Sequence, residues 1–177
     1  MRRLIAVLAS GLLLAACASP TQDVTHAPTV PVGLPAPRSA EMVAGTQPMQ
    51  CVPYARALSG LEIRGDAWTW WPAAEGRYLR GPTPQVGSVL VLKKTDRLRR
   101  GHLAVVTRVL GPRAVLAEHA NWLNRGMIHR NVPVVDVSPA NDWSQVRLWY
   151  VPGNHLGAHV YPAYGFIHPA TMAASSD

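Results

Sequence analysis

Apolar positions change their spacing several times along this chain, and each change marks an element. Leu4 to Leu14 is apolar but for Ser10 and Gly11, and it follows Arg2 and Arg3 directly. At about 11 residues the run falls well short of the roughly 20 that a spanning helix needs, so residues 1–16 have the form of a cleaved signal peptide. From Ala18 to Pro48 no period of 2 or 3.6 persists. Pro20, Pro28, Pro31, Pro35, Pro37 and Pro48 favour an extended, solvated tether there. Cys51 to Leu58 then predicts a short helix, with Pro53 in its first turn, Gly60 after its end, and Tyr54, Ala57, Leu58 and Leu61 on one face. A second helix is expected over Ala67 to Arg77, interrupted by Pro72.

Beyond Pro82 and Pro84 the spacing becomes that of strands. Val86–Leu92, His102–Leu110, Val115–Asn121, Val132–Val137 and Val146–Val151 alternate or are β-branched, and turn residues such as Gly111-Pro112 lie between them. Helices followed by consecutive strands predict an α+β fold, with short N-terminal helices packed on an antiparallel sheet of about five strands. The expected organisation is a signal peptide over 1–16, a tether over 17–47 and one globular domain over 48–152. Residues 153–177, dense in Gly, Pro, His and Tyr, read as an irregular extension without a role.

Composition narrows the partners. The formal charge of +7 suits an anionic polymer or a membrane surface. Nucleic acid is not expected, because no recognition motif or basic helix accompanies that charge. Sixteen Pro and 14 Gly exclude a helix bundle. Leu14-Ala15-Ala16-Cys17 resembles the lipobox of bacterial lipoproteins, which implies an acylated Cys17 and a membrane anchor facing the periplasm, the outer membrane favoured. Only Cys17 and Cys51 are present. If Cys17 carries lipid, Cys51 is a single exported thiol; otherwise a Cys17–Cys51 disulfide would consume both.

Cys51 sits where a helix begins, and the positive end of the helix dipole lowers a thiol pKa. His102 follows Gly101 at the start of an apolar strand, which fixes an imidazole able to take a proton and return it. At the end of the next strand, Glu118-His119-Ala120-Asn121-Trp122 puts His119 and Asn121 on one face and Glu118 on the other. Either His119 or Glu118 can orient His102, depending on register. The ligand spacings of metal sites are absent, so no metal and no cofactor are expected. Trp68, Trp70 and Trp71 are either core or a sugar-stacking surface, core being the commoner fate. Lys93, Lys94, Arg97, Arg99 and Arg100 read as an exposed hairpin connection.

Over about Gln50 to Tyr150 the chain resembles the CHAP family of cysteine, histidine-dependent amidohydrolases/peptidases. The matching pieces are Gln50-Cys51-Val52-Pro53-Tyr54-Ala55, Pro84-Gln85-Val86-Gly87-Ser88-Val89-Leu90, Gly101-His102-Leu103-Ala104-Val105-Val106 and Asn121-Trp122. The resemblance implies a papain-like fold and a cysteine amidohydrolase or peptidase that cuts amide bonds in peptidoglycan. Cys51, His102 and Asn121 would then belong to the catalytic group, with Gln50, Tyr54 and Trp122 beside the substrate. The family often has an acid two residues before the Asn, where this chain has His119. Related papain-like murein hydrolases use a histidine as third member, which makes His119 the first choice and Glu118 the reserve. The expected state is a monomer; the alternative is a wall-binding lipoprotein that keeps the fold without cutting.

Overall fold

The computed structural model describes residues 40–123 and 125–171. The signal peptide, the lipidated Cys17 and the tether up to residue 39 lie outside the described residues. The first described strand, β1 (Glu41–Val43), falls within the expected tether and pairs with β6 (Ile128–Asp136). Helix α1 (Cys51–Ser59) matches its expected bounds closely and stops at Gly60, whose φ of 74° is the left-handed conformation that glycine adopts without strain. Its buried face is not the expected one. Ala55 is buried and Cys51 and Val52 pack beside it, whereas Ala57 and Leu58 face solvent. The second expected helix is cut to a 3-10 turn (Ala67–Thr69) and one turn of helix, α2 (Trp70–Ala73). The residues after it turn into strand β2 (Tyr78–Gly81).

Strands β3 (Val89–Leu92), β4 (His102–Gly111), β5 (Ala114–Ala120), β6 and β7 (Gln145–Tyr150) follow in an antiparallel run. The tail then contributes β8 (His155–Leu156) and β9 (Tyr161–Thr171). β9 inserts between β3 and β7, and β7 also pairs with β6, so β6-β5-β4-β3-β9-β7 returns to β6 as a closed barrel of six strands. β1, β2 and β8 are added outside that ring.

This corrects the α+β, papain-like expectation. Among the described residues the chain is mostly β, its two α-helices are short, and the five-strand sheet is part of a barrel that the supposedly irregular tail closes. Closure has a direct physical rationale: it pairs the backbone of β3 and β7, which would otherwise present open edges. Two apolar clusters follow from strand alternation. Leu90, Leu92, Ala104, Val106, Val115, Ala117, Val134, Trp143 and Phe166 fill the barrel. Val89, Val91, Leu103, Val105 and Ile167 point outward, beneath Ala55, Leu61, Ile63, Ala67 and Trp70 from the helical segment.

Candidate active site

Strand alternation fixes which polar groups meet. Val106 pairs with Ala117 inside the barrel, and Val105 pairs with Glu118 on the outer, helix-bearing face. His102 lies two residues before Ala104 and His119 two after Ala117, so both point inward at one mouth of the barrel. There His102 Nε2 and His119 Nδ1 are 2.8 Å apart, and both rings are buried. Trp122 lies edge-on to the two imidazoles, its ring centre 4.7 Å from His102 and 5.5 Å from His119, and Tyr161 of β9 flanks it. Glu118 goes the other way. Its carboxylate accepts the Tyr54 hydroxyl at 2.5 Å and faces Arg130 at 3.8 Å, and burial together with Glu118 pushes the Tyr54 phenol up to about 12. Register, the open question in the sequence, thus brings His119 and not Glu118 to His102.

Cys51 is the first residue of α1 and is a free thiol. It lines a cavity of about 1010 Å³ together with Gln50, His102, Asn121 and Trp122. Gly101, beside His102, lets the 3-10 turn at Trp68 lie against the start of β4. Its φ is 67°, and a Cβ there would stand 2.7 Å from the Leu92 carbonyl oxygen and 2.8 Å from the Trp68 nitrogen. The basic residues Arg97, Arg99 and Arg100, which sit in the β3–β4 connection as expected, form one rim of the cavity. Tyr54, Glu118 and His119 do not line it: the first two bond each other outside the barrel, and His119 lies behind His102.

Asn121 has a φ of 60°, a conformation that asparagine tolerates better than most residues. Its side chain donates to Gln50 Oε1 at 2.7 Å and accepts from the Gly126 N–H at 2.9 Å. Met49 N–H in turn donates to the Gly126 carbonyl at 2.9 Å. These bonds fasten the loop after β5 to the start of the cysteine helix. Gln50 itself lines the cavity.

The electrostatics depart from the expectation of an ionised thiol. Burial pushes the Cys51 thiol up, although the backbone N–H groups of Leu103, Val52 and Cys51 itself favour the thiolate. Burial, with a smaller contribution from His129, lowers His102 to about 3, and burial together with both neighbouring imidazoles holds His119 well below the usual histidine range. The resting site is a neutral thiol beside neutral imidazoles. The helix N-terminus acts on Cys51 as anticipated, but desolvation outweighs it.

Other residues escaped the sequence reading. His129 pairs with His119 across β5–β6, in a part of β6 that precedes the strand expected from Val132 because the β-branched run begins only there. Tyr150, His155, His159 and Tyr161 form the wall of the cavity opposite α1, and no local signal marks them. Of the tryptophans, Trp70 is core, while Trp71 stacks on Tyr164 at 5.7 Å and Trp68 lies under Lys94. No group of acidic, His or Cys side chains suited to a metal occurs among the described residues.

No curated protein matches the chain. Residues 42–121 match the CHAP domain family, spanning β1, α1 and the strands through Asn121. That stretch holds Cys51, His102 and His119, the residues the geometry gathers at the mouth of the barrel. Over residues 42–121 the chain is thus similar to CHAP domains, which are typically amidase- or peptidase-type hydrolases acting on peptidoglycan.

Proposed function

We propose that this protein cuts amide bonds in peptidoglycan, either the link between glycan and stem peptide or a bond within the peptides, with Cys51 as nucleophile. The observation that carries the reading is the 2.8 Å contact between His102 Nε2 and His119 Nδ1 behind a cavity that His102 shares with Cys51. With Nε2–H given to His119, the Nδ1 lone pair of His102 is left to receive the thiol proton. Because both groups are neutral at rest, His102 removes that proton as sulfur attacks the carbonyl, rather than beforehand. The N–H groups around the sulfur, with the Gln50 side chain at the cavity wall, stabilise the oxyanion. His102 then returns the proton to the departing amine. Water attacks the thioester, giving one proton to His102, and cleavage of the S–C bond restores the thiol.

The raised thiol favours one other reading, a protein that grips cell wall without cutting it. Incubating mature protein with purified peptidoglycan and analysing soluble products by mass separates the two. Release by wild type and none by Cys51→Ala is the expected result; equal release by both would remove Cys51 from the chemistry, and none by either would leave the binding reading.

An envelope location suits this substrate. We place the protein at the periplasmic face of the outer membrane, held by acyl chains on Cys17. Labelled palmitate should enter wild type and be absent from Cys17→Ser; equal labelling would rule the anchor out.

A further inference from the structure

We propose that His129 is a positioning residue, which accepts a hydrogen bond from His119 Nε2–H and so fixes the tautomers of His119 and His102. This rests on the hydrolase reading above and extends it by one residue, on a strand beyond the family match.

His129 and His119 are directly paired across β5 and β6, and each is 1% exposed. Their ring centres lie 5.0 Å apart at a tilt of 47°, and those of His119 and His102 are likewise 5.0 Å apart. The rings therefore run as a file of three from the cavity into the wall of the barrel. Only the contact between His102 and His119 is a closed hydrogen bond. His119 Nε2 and both ring nitrogens of His129 are buried without a hydrogen-bond partner among the described residues. An orphaned buried polar nitrogen loses its hydrogen bonds to water without replacement, and an apolar pair at two facing strand positions would carry no such penalty. A cross-strand pair with polar atoms and no structural bond to show for them calls for another account.

Chemistry supplies one. For His102 to accept the thiol proton at Nδ1, its own proton must sit on Nε2 and be donated to His119 Nδ1. His119 then carries its single proton on Nε2 and needs an acceptor on its far side. His129, neutral because burial lowers its pKa, offers a lone pair there. The reverse arrangement, with the proton on His119 Nδ1, would force His102 into the tautomer that points N–H at the sulfur, where it cannot act as base. The ring centres of His119 and His129 are as far apart as those of the hydrogen-bonded pair His102–His119, which puts the second bond within reach of a ring rotation. The ionisable side chains facing His129 are His119 from β5 and His102 from β4, while Met42 of β1 is its partner on the other side. A third neutral imidazole is thus the group placed to choose between the two tautomers.

Ring tautomers can be read without substrate from long-range proton–nitrogen NMR of the full mature protein labelled with 15N. In wild type, His102 and His119 should both show the Nε2–H form, and His129 a nitrogen shifted as an acceptor. In His129→Phe, which keeps the volume but has no lone pair, His119 and His102 should populate both tautomers. Peptidoglycan release should then fall about 10-fold or more in kcat with KM unchanged, as for loss of a group that orients a catalytic histidine. His129→Gln, which restores an acceptor, should recover most of the rate and the single tautomer. Wild-type His119 protonated at Nδ1 would overturn the proposal even if no variant folds, and so would an unaltered pair of tautomers in a folded His129→Phe. Failure of the hydrolase reading appears separately, as wild-type protein without peptidoglycan release, while the tautomer measurement still decides the role of His129.

Discussion

A half-buried thiol and a buried imidazole decide how this site responds to pH. The N–H groups of Leu103, Val52 and Cys51 draw the thiol toward ionisation, and loss of water around it pushes harder the other way. No preformed thiolate–imidazolium pair waits for substrate. Alkylation of Cys51 by iodoacetamide, measured without substrate, should therefore be slow at pH 7 and accelerate through the alkaline range. A rate already at its plateau by pH 6 would mean that the helix terminus wins after all. The thiol was readable as a nucleophile candidate from its place before Val52-Pro53-Tyr54. Its ionisation state was not, because desolvation depends on Leu103 and the rest of the neighbouring strand. The same holds for Glu118 and His119, adjacent in sequence and sent to opposite faces by one residue of register.

Among the elements, β9 changes the architecture most. Pro162, Gly165 and Pro169 make Tyr161–Thr171 look unfit for a strand, yet each breaker has a place. Gly165 takes a φ of 124° beside the shift in register against β3, where a Cβ would lie 2.7 Å from the Gly81 carbonyl oxygen. Pro162 and Pro169 stand toward the ends of the strand. Removing residues 153–177 should thus leave β3 and β7 with open edges and expose the barrel core. The shortened protein is expected to be insoluble, or to lose the cooperative thermal transition seen by circular dichroism. A soluble product with unchanged melting would show that the barrel does not need its sixth strand. Three of the six barrel strands, β6, β7 and β9, lie beyond the family match, and with them one wall of the cavity.

For the molecule as a whole, neutral buried histidines make folding sensitive to acid. His102 titrates at about 3 when folded and near 6.5 when unfolded, and His119, His129 and His168 are shifted in the same direction. Between those values the unfolded chain binds more protons. The stability that the neutral rings provide is then complete above pH 6.5 and is lost progressively as pH falls toward 3. The cluster is worth on the order of a few kcal/mol over that range. The melting temperature should fall steadily from pH 7 to pH 4, and His119→Phe should flatten the slope. A melting temperature that stays level over that interval would indicate that these rings are already charged in the folded protein.

Local spacing carries the parts of this protein that local physics governs. The bounds of α1 follow from Pro53 and Gly60, the strands β3 to β7 from alternation and branching, and the candidacy of Cys51 and His102 from residue types at element starts. Those features depend on neighbours a few positions away, so they can be read in one dimension. Which face of α1 is buried, whether His119 or Glu118 meets His102, how the thiol titrates and whether the sheet closes all depend on what packs alongside. Each of those depends on strands packed alongside: β4 beneath the helix and in register with β5, and β9 between β3 and β7. Desolvation and edge pairing are properties of the assembled barrel, and no single segment contains them.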